Sequence, residues 1–223
     1  MKIAIIGAGA LGSLFGGLLA RSGEDVWLFD PIAKEHIAKI NTNGLIIEEA
    51  GREELIAVRA TTSIEEIGEA ELIALFVKAH QTEAALRIVR PAIGSSTLVL
   101  SLQNGLGLEQ LLQKYVSQER LLRGVTAQGS TFLGPGKIRH AGQGPTWIGP
   151  VGQVEWAKLE TIAQVFNRAG IETYLEQDVT HLVWRKLLIN AGINALTAIF
   201  NVPNGKLIFD PELNQIMRGV LVE

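Results

Sequence analysis

With 223 residues, 47% of them hydrophobic, the chain can bury a sizeable core as one large domain or two small ones. A net charge of −3 with no Lys/Arg run excludes a basic surface for nucleic acid or anionic membrane, and the absence of cysteine excludes disulfides, thiolate catalysis and cysteine zinc sites. The four histidines, His36, His80, His140 and His181, are scattered without metal-ligand spacing, so no metal is expected.

The chain begins with an apolar run, Ile3 to Ile6, that leads into Gly7-Ala8-Gly9-Ala10-Leu11-Gly12 and then into an apolar segment ending near Ser22. This reads as strand, tight turn and helix with dinucleotide-fingerprint spacing. The first glycine makes the turn, the second admits a pyrophosphate, and the third lets helix and strand approach. A signal peptide or membrane span is the competing reading of so apolar a start. Ser13 interrupts the run, however, and a second strand, Val26 to Phe29, follows and ends in Asp30. Asp30 lies eighteen residues beyond Gly12, where about 20 is expected for the acidic residue that takes ribose hydroxyls. A cytoplasmic location without membrane contact is the default. Gly16 and Gly17 are read as packing positions.

Pro31 to Asn41 reads as a short helix, and Leu45–Ile47 with Leu55–Val58 as a small strand pair around Gly51. Leu72 to Val77 is a buried strand that stops at Lys78; a helix runs from about Gln81 to Val89; Thr97 to Leu102 is another buried strand, ending at Gln103-Asn104-Gly105. Apolar runs alternating with amphipathic helices predict an α/β fold with a Rossmann-type, doubly wound, mostly parallel sheet. From Leu121 to Pro150, short Gly- and Thr-rich pieces are expected to complete that sheet. Glu155–Ala169 reads as a helix and Ile171–Leu175 as the last strand. Ligands in open parallel sheets bind beyond the carboxyl ends of the strands, which singles out Lys78 and Asn104. His80 and His140 read as loop and structural residues; no partner carboxylate for His140 is suggested nearby.

The boundary falls near Asp178, giving a dinucleotide-binding domain over 1–177 and a helical substrate and dimerisation domain over 178–223. The latter is helical from Val179 through Phe200 and again from Pro211. Lys186, Asn190 and Asn194 stand at i, i+4 and i+8 and share one face. From Leu187 to Phe200 there is no charged residue, so this helix is expected to be buried, in part by self-association as a homodimer. One amine and two amides in an apolar helix read as the wall of a cleft for a small polar substrate.

Taken together, Gly7 to Gly12, Val77-Lys78-Ala79, Gln103-Asn104-Gly105, Trp184-Arg185-Lys186-Leu187, Asn190 with Asn194, and Asn201-Val202-Pro203-Asn204-Gly205 resemble the ketopantoate reductase family. The resemblance spans nearly the whole chain in order. It implies NADPH-dependent reduction of a small 2-oxo acid, 2-dehydropantoate, to pantoate on the route to pantothenate and coenzyme A. It implies Lys186 as the catalytic amine, Asn104 beside the nicotinamide, Asn190 and Asn194 on the substrate, and Lys78 on the cofactor. Chemistry agrees with this choice: a ketone that receives hydride needs a proton donor and a cation at its oxygen, and an ammonium is both. Neighbouring Arg185, always protonated, cannot donate and reads as a surface or hinge cation.

Asp30 departs from that pattern. A carboxylate there accepts ribose hydroxyls in NAD sites and repels the 2′-phosphate of NADP, so NADP(H) is expected from the family and NAD(H) stands as the alternative. Lys34 and His36, the nearest candidates to compensate, read as exposed. No cap follows Val222, so Glu223 is expected inside an unfinished helix; the resemblance implies that relatives continue through helices supplying a serine and a glutamate to the substrate site. Other readings are a different NAD(P)-dependent 2-oxo or hydroxy acid dehydrogenase and a non-catalytic NAD(P)-binding regulator.

Overall fold

Strand β1 (Lys2–Ile6) sends Ile3 and Ile5 to one buried face and Ala4 and Ile6 to the other. Strand β6 (Ala70–Leu75) repeats the pattern with Leu72 and Ala74 against Ile73 and Leu75. A strand apolar on both faces must be covered on both, which is the demand that a doubly wound sheet meets. The computed structural model describes residues 1–222; Glu223, with its expected place in an unfinished helix, lies outside the described residues.

The chain divides into two compact units, Met1–Gln103 with Gly107–Val179, and Asn104–Leu106 with Thr180–Glu223. In the first unit β1 is followed by α1 (Ala10–Arg21), β2 (Asp25–Phe29), α2 (Lys34–Asn43), β3 (Leu45–Glu49), β4 (Arg52–Ile56) and β5 (Arg59–Thr61). Then come β6, α3 (Thr82–Val89), β7 (Ile93–Ser101), α4 (Leu108–Leu112) and β8 (Leu121–Thr126). Six of these strands run parallel in the order β5-β2-β1-β6-β7-β8. Ranked along the chain that is 3-2-1-4-5-6, the doubly wound order, with its reversal between β1 and β6. Beyond β8 the sheet gains β11 (Thr146–Pro150), antiparallel to β8, and β12 (Thr173–Leu175), parallel to β11; α5 (Trp156–Arg168) joins the two.

The Gly- and Thr-rich stretch only half completes this sheet. Its middle, β9 (Gly129–Gly134) and β10 (Lys137–Gly142), forms a second, four-stranded sheet with β3 and β4, in the order β4-β3-β10-β9. The reason is the outer face of α1. Leu14 and Leu18 need a cover, and Leu45, Ile47 and Ile138 from the small sheet supply it. The β3–β4 hairpin turns on Ala50 and Gly51, both at positive φ (49° and 78°), as a two-residue hairpin of primed type requires.

The second unit is helical: α6 (Thr180–Phe200), α7 (Lys206–Phe209) and α8 (Pro211–Val222). Asn201, at φ 50°, ends α6 in the left-handed conformation. Asp210 then caps α8, its Oδ1 accepting the Glu212 and Leu213 amides at 3.1 and 3.2 Å, with Pro211 at the first helical position. The expectation that α6 is buried is not met. Only Val183, Gly192 and Leu196 are buried along it, whereas Trp184, Leu188, Ile189, Ile199 and Phe200 are exposed. Within its own unit the main packing on α6 comes from α7 and α8, with Leu221 seated against Gly192, and two short helices leave much of so apolar a helix uncovered.

Candidate functional site

The turn at the reversal point is fixed by close approaches. Gly7 has φ +98°, and a Cβ there would stand 2.8 Å from the Val77 amide nitrogen; a Cβ on Gly12 would overlap the Gly7 carbonyl oxygen. Both glycines are therefore demanded by the protein itself. Gly9 is different, because a Cβ there would meet nothing within 4 Å. Its smallness leaves open the approach to the N-terminus of α1, which begins at Gly9 with no side-chain cap and no acidic residue in its first turn. An uncapped helix N-terminus behind an open glycine fits the pyrophosphate of a dinucleotide. Ala10 and Leu11 form the first turn of that helix.

Asp30 closes the loop from the other side. Its Oδ2 accepts the Ala8 amide at 3.1 Å, and its Oδ1 accepts those of Ile32 and Ala33 at 2.9 Å each. Three N–H groups occupy most of the carboxylate's roughly four acceptor positions, leaving room for about one further donor. Beside it a cleft of about 230 Å³ opens between Phe29, Asp30 and Ile32 on one wall and Val77, Gln81, Ala84 and Ile88 on the other. Apolar walls with one carboxylate at the mouth suit an adenine ring and its ribose.

His36 corrects an expectation: it is 2% exposed. Its Nδ1 accepts the Gly136 amide at 2.9 Å, which leaves the proton on Nε2, 2.9 Å from Ser13 Oγ; Ser13 in turn donates to the Ala8 carbonyl at 3.1 Å. Burial holds the imidazole pKa below its ordinary value, with the Asp30 charge opposing. The Ala8 residue of the fingerprint is thus held at its N–H by Asp30 and at its C=O by Ser13. The helical spacing of Ser13 gave no hint of this, because its partner is 23 residues away. Lys34 is exposed, as read from the sequence. His140 is structural, as read from the sequence, but it does have a carboxylate partner: its Nδ1 lies 2.6 Å from Glu49 Oε1 in the small sheet and its Nε2 2.7 Å from Gln128 Oε1.

Lys78 follows β6 and is exposed; Gln103, two residues beyond β7, is buried and bonds to the segment that carries Lys78. In the helical unit Lys186, Asn190 and Asn194 share one face of the unbroken helix α6. Lys186 and Asn190 are half-buried and Asn194 is exposed, so the cost of an unpaired buried amide does not apply to Asn194. Arg185 is exposed. Among the described residues no cluster of His, Asp and Glu could hold a metal ion, and no helix is long and apolar enough to cross a membrane.

A family model described as ketopantoate reductase PanE/ApbA matches residues 3–153, and the model of that family's C-terminal part matches residues 178–223. The 2-dehydropantoate 2-reductases of Pyrococcus horikoshii and Pyrococcus abyssi are 41% and 40% identical over 93% and 92% of this chain, which spans 66% of each. That of Halobacterium salinarum is 33% identical over 100% of the chain and 73% of its own length. Among solved structures, D-mandelate dehydrogenase in its ternary structure with NADH and anilino(oxo)acetate matches with a TM-score of 0.91 at 31% identity, over 97% of this chain and 70% of that one. The 2-dehydropantoate 2-reductase from Geobacter metallireducens GS-15 matches with a TM-score of 0.91 at 31% identity, over 100% of this chain and 73% of that one. The chain spans about two thirds to three quarters of the relatives it matches.

Proposed function

The chain belongs to the ketopantoate reductase family, a family of nicotinamide-dependent oxidoreductases, and we propose on that footing that it reduces 2-dehydropantoate to pantoate. The observation that carries the proposal is the pairing, in one chain, of an open-glycine nucleotide loop with a helix that presents an amine and two amides on one face. A bound reduced nicotinamide supplies the hydride, which goes to the ketone carbon. Lys186 gives a proton to the oxygen as negative charge develops there, so the ketone gains one hydride and one proton and leaves as an alcohol. Asn190 and Asn194 hold the hydroxyl and carboxylate end of the substrate. Asn104 orients the substrate beside the nicotinamide, and Lys78 contacts the cofactor. Residues 1–177 form the dinucleotide-binding part and 178–223 the substrate part.

NADP(H) is the cofactor that the family resemblance favours. A second reading, an NAD(H)-linked reductase of another 2-oxo acid, is favoured by Asp30, whose carboxylate stands at the adenosine cleft where a 2′-phosphate would meet it. The likeness to an NADH-bound D-mandelate dehydrogenase supports the same reading. The test is steady-state kinetics with NADPH and NADH against 2-dehydropantoate and aryl 2-oxo acids. The first reading expects the highest kcat/KM with NADPH and 2-dehydropantoate. The ranking reversed in both cofactor and acid selects the second. In either case Lys186→Ala is expected to lower kcat about 10²–10⁴-fold with cofactor affinity kept, and normal turnover by that variant ends the assignment.

A further inference from the structure

Gln103 carries no charge and contributes nothing to the reaction as derived above, yet every polar atom of its side chain is engaged. Its Nε2 donates to the Val77 carbonyl at 2.7 Å and to Thr82 Oγ1 at 2.8 Å. A carbonyl can only accept, so the amide nitrogen must face Val77 and the amide oxygen must face Ser101. Ser101 Oγ donates to that oxygen at 3.0 Å and itself accepts from Arg123 Nη1 at 3.0 Å. Arg123, 2% exposed, also reaches the Ser101 carbonyl at 3.2 Å, and its Nε lies 2.9 Å from Glu109 Oε1. The direction of donation is therefore set along the whole series, from guanidinium to hydroxyl to amide to the Val77 carbonyl.

The far end of that series is the short connection between β6 and α3, which holds a single 3₁₀ turn over Ala79–Gln81. Lys78 stands in it, its N–H donating to Gln81 Oε1 at 3.2 Å and its carbonyl accepting the Gln81 amide at 2.8 Å. Val77 and Gln81 both line the adenosine cleft, and Val77 abuts Gly7 of the fingerprint. The bonds between Lys78 and Gln81 close the turn on itself but tie it to no neighbouring strand, so a buried amide that grips it at both Val77 and Thr82 decides where it lies against the sheet. We propose that Gln103 is a positioning residue for the dinucleotide: its carboxamide, aligned by Ser101 and Arg123, sets the Val77–Gln81 wall of the cleft and the backbone of Lys78. This rests on the nucleotide site assigned above.

The test is the dissociation constant of NADPH and of NADH, read by nicotinamide fluorescence, together with the KM of the oxo acid. Gln103→Met keeps the side-chain volume and removes every hydrogen bond. It is expected to weaken the preferred cofactor about tenfold while the oxo acid KM stays within about twofold, the scale for losing one or two buried hydrogen bonds. Ser101→Ala leaves Gln103 its donors but frees its oxygen, and should weaken the cofactor about threefold; it carries the test if the methionine variant does not fold. Unchanged cofactor affinity in the folded variants overturns the proposal, as does an equal rise in the oxo acid KM, which marks general loosening. Failure of the unaltered protein to bind either nucleotide instead removes the nucleotide site itself.

Discussion

Phe15 in α1 is fully buried, its ring 4.9 Å from that of Phe76 and 5.9 Å from that of Phe166, whereas Phe209 in α7 is 86% exposed. The two residues mark how differently the two units treat apolar surface. The sheet unit covers both faces of β1 and β6 and the outer face of α1 with its own residues. In the helical unit, Ile199, Phe200, Ile208 and Phe209 are exposed, and no residue of α8 is buried. The order of the first unit is set by burial; that of the second is set largely by local devices, the Asn201 turn and the Asp210–Pro211 cap.

The comparison can be broken most directly at the two phenylalanines. Phe15→Ala should cost about 3–5 kcal/mol, because the ring leaves a cavity that its neighbours cannot close. Denaturant unfolding measures it, and a loss below about 1 kcal/mol would mean that the sheet unit is not held by its core. A subtler test uses His36. Burial holds its pKa below that of its unfolded counterpart, which is near 6.5, so the folded chain takes up this proton only at lower pH than the unfolded chain does. Below about pH 6.5 the unfolded chain binds more protons, so stability falls as pH falls, by up to about 1.4 kcal/mol per pH unit from this residue, and is fully present above that range. His36→Gln should lose about 1 kcal/mol at neutral pH and show a flatter acid limb. An unchanged limb, followed by denaturant midpoints between about pH 5 and about pH 8, would remove the buried-imidazole account. The smallest effect is expected at Phe209→Ser, within about 0.5 kcal/mol, as for other exposed positions. A loss of several kcal/mol there would show that the helical unit is covered in solution.

Local chemistry was legible in the sequence and distant pairing was not. The fingerprint could be read because its spacing is local: a Cβ on Gly12 would overlap the carbonyl of Gly7, five residues earlier. The parallel strands could be read because burial on both faces leaves a continuous apolar run. The small sheet could not, since nothing in the composition of β9 and β10 tells which edge they join. For α6, periodicity revealed an apolar helix but not how much apolar surface its neighbours would cover. Gln103 was visible only as the end of a strand and part of a motif with Asn104 and Gly105, because its work is done on Val77 and Thr82, 26 and 21 residues earlier. Ser13 and His36 were hidden for the same reason.

The parallel pairing of β10 with β3 also has a consequence for the order of folding. Lys137 meets Ile46, and Arg139 bonds Glu48 across 91 positions of sequence. Closing so long a span is entropically slow, while the β3–β4 hairpin can form at once. A chain emerging from the ribosome would therefore hold the free rim of that hairpin, and the part of the first helix that β9 and β10 cover, unsheltered until some ninety further residues had been made. That interval is when this protein would most need a chaperone.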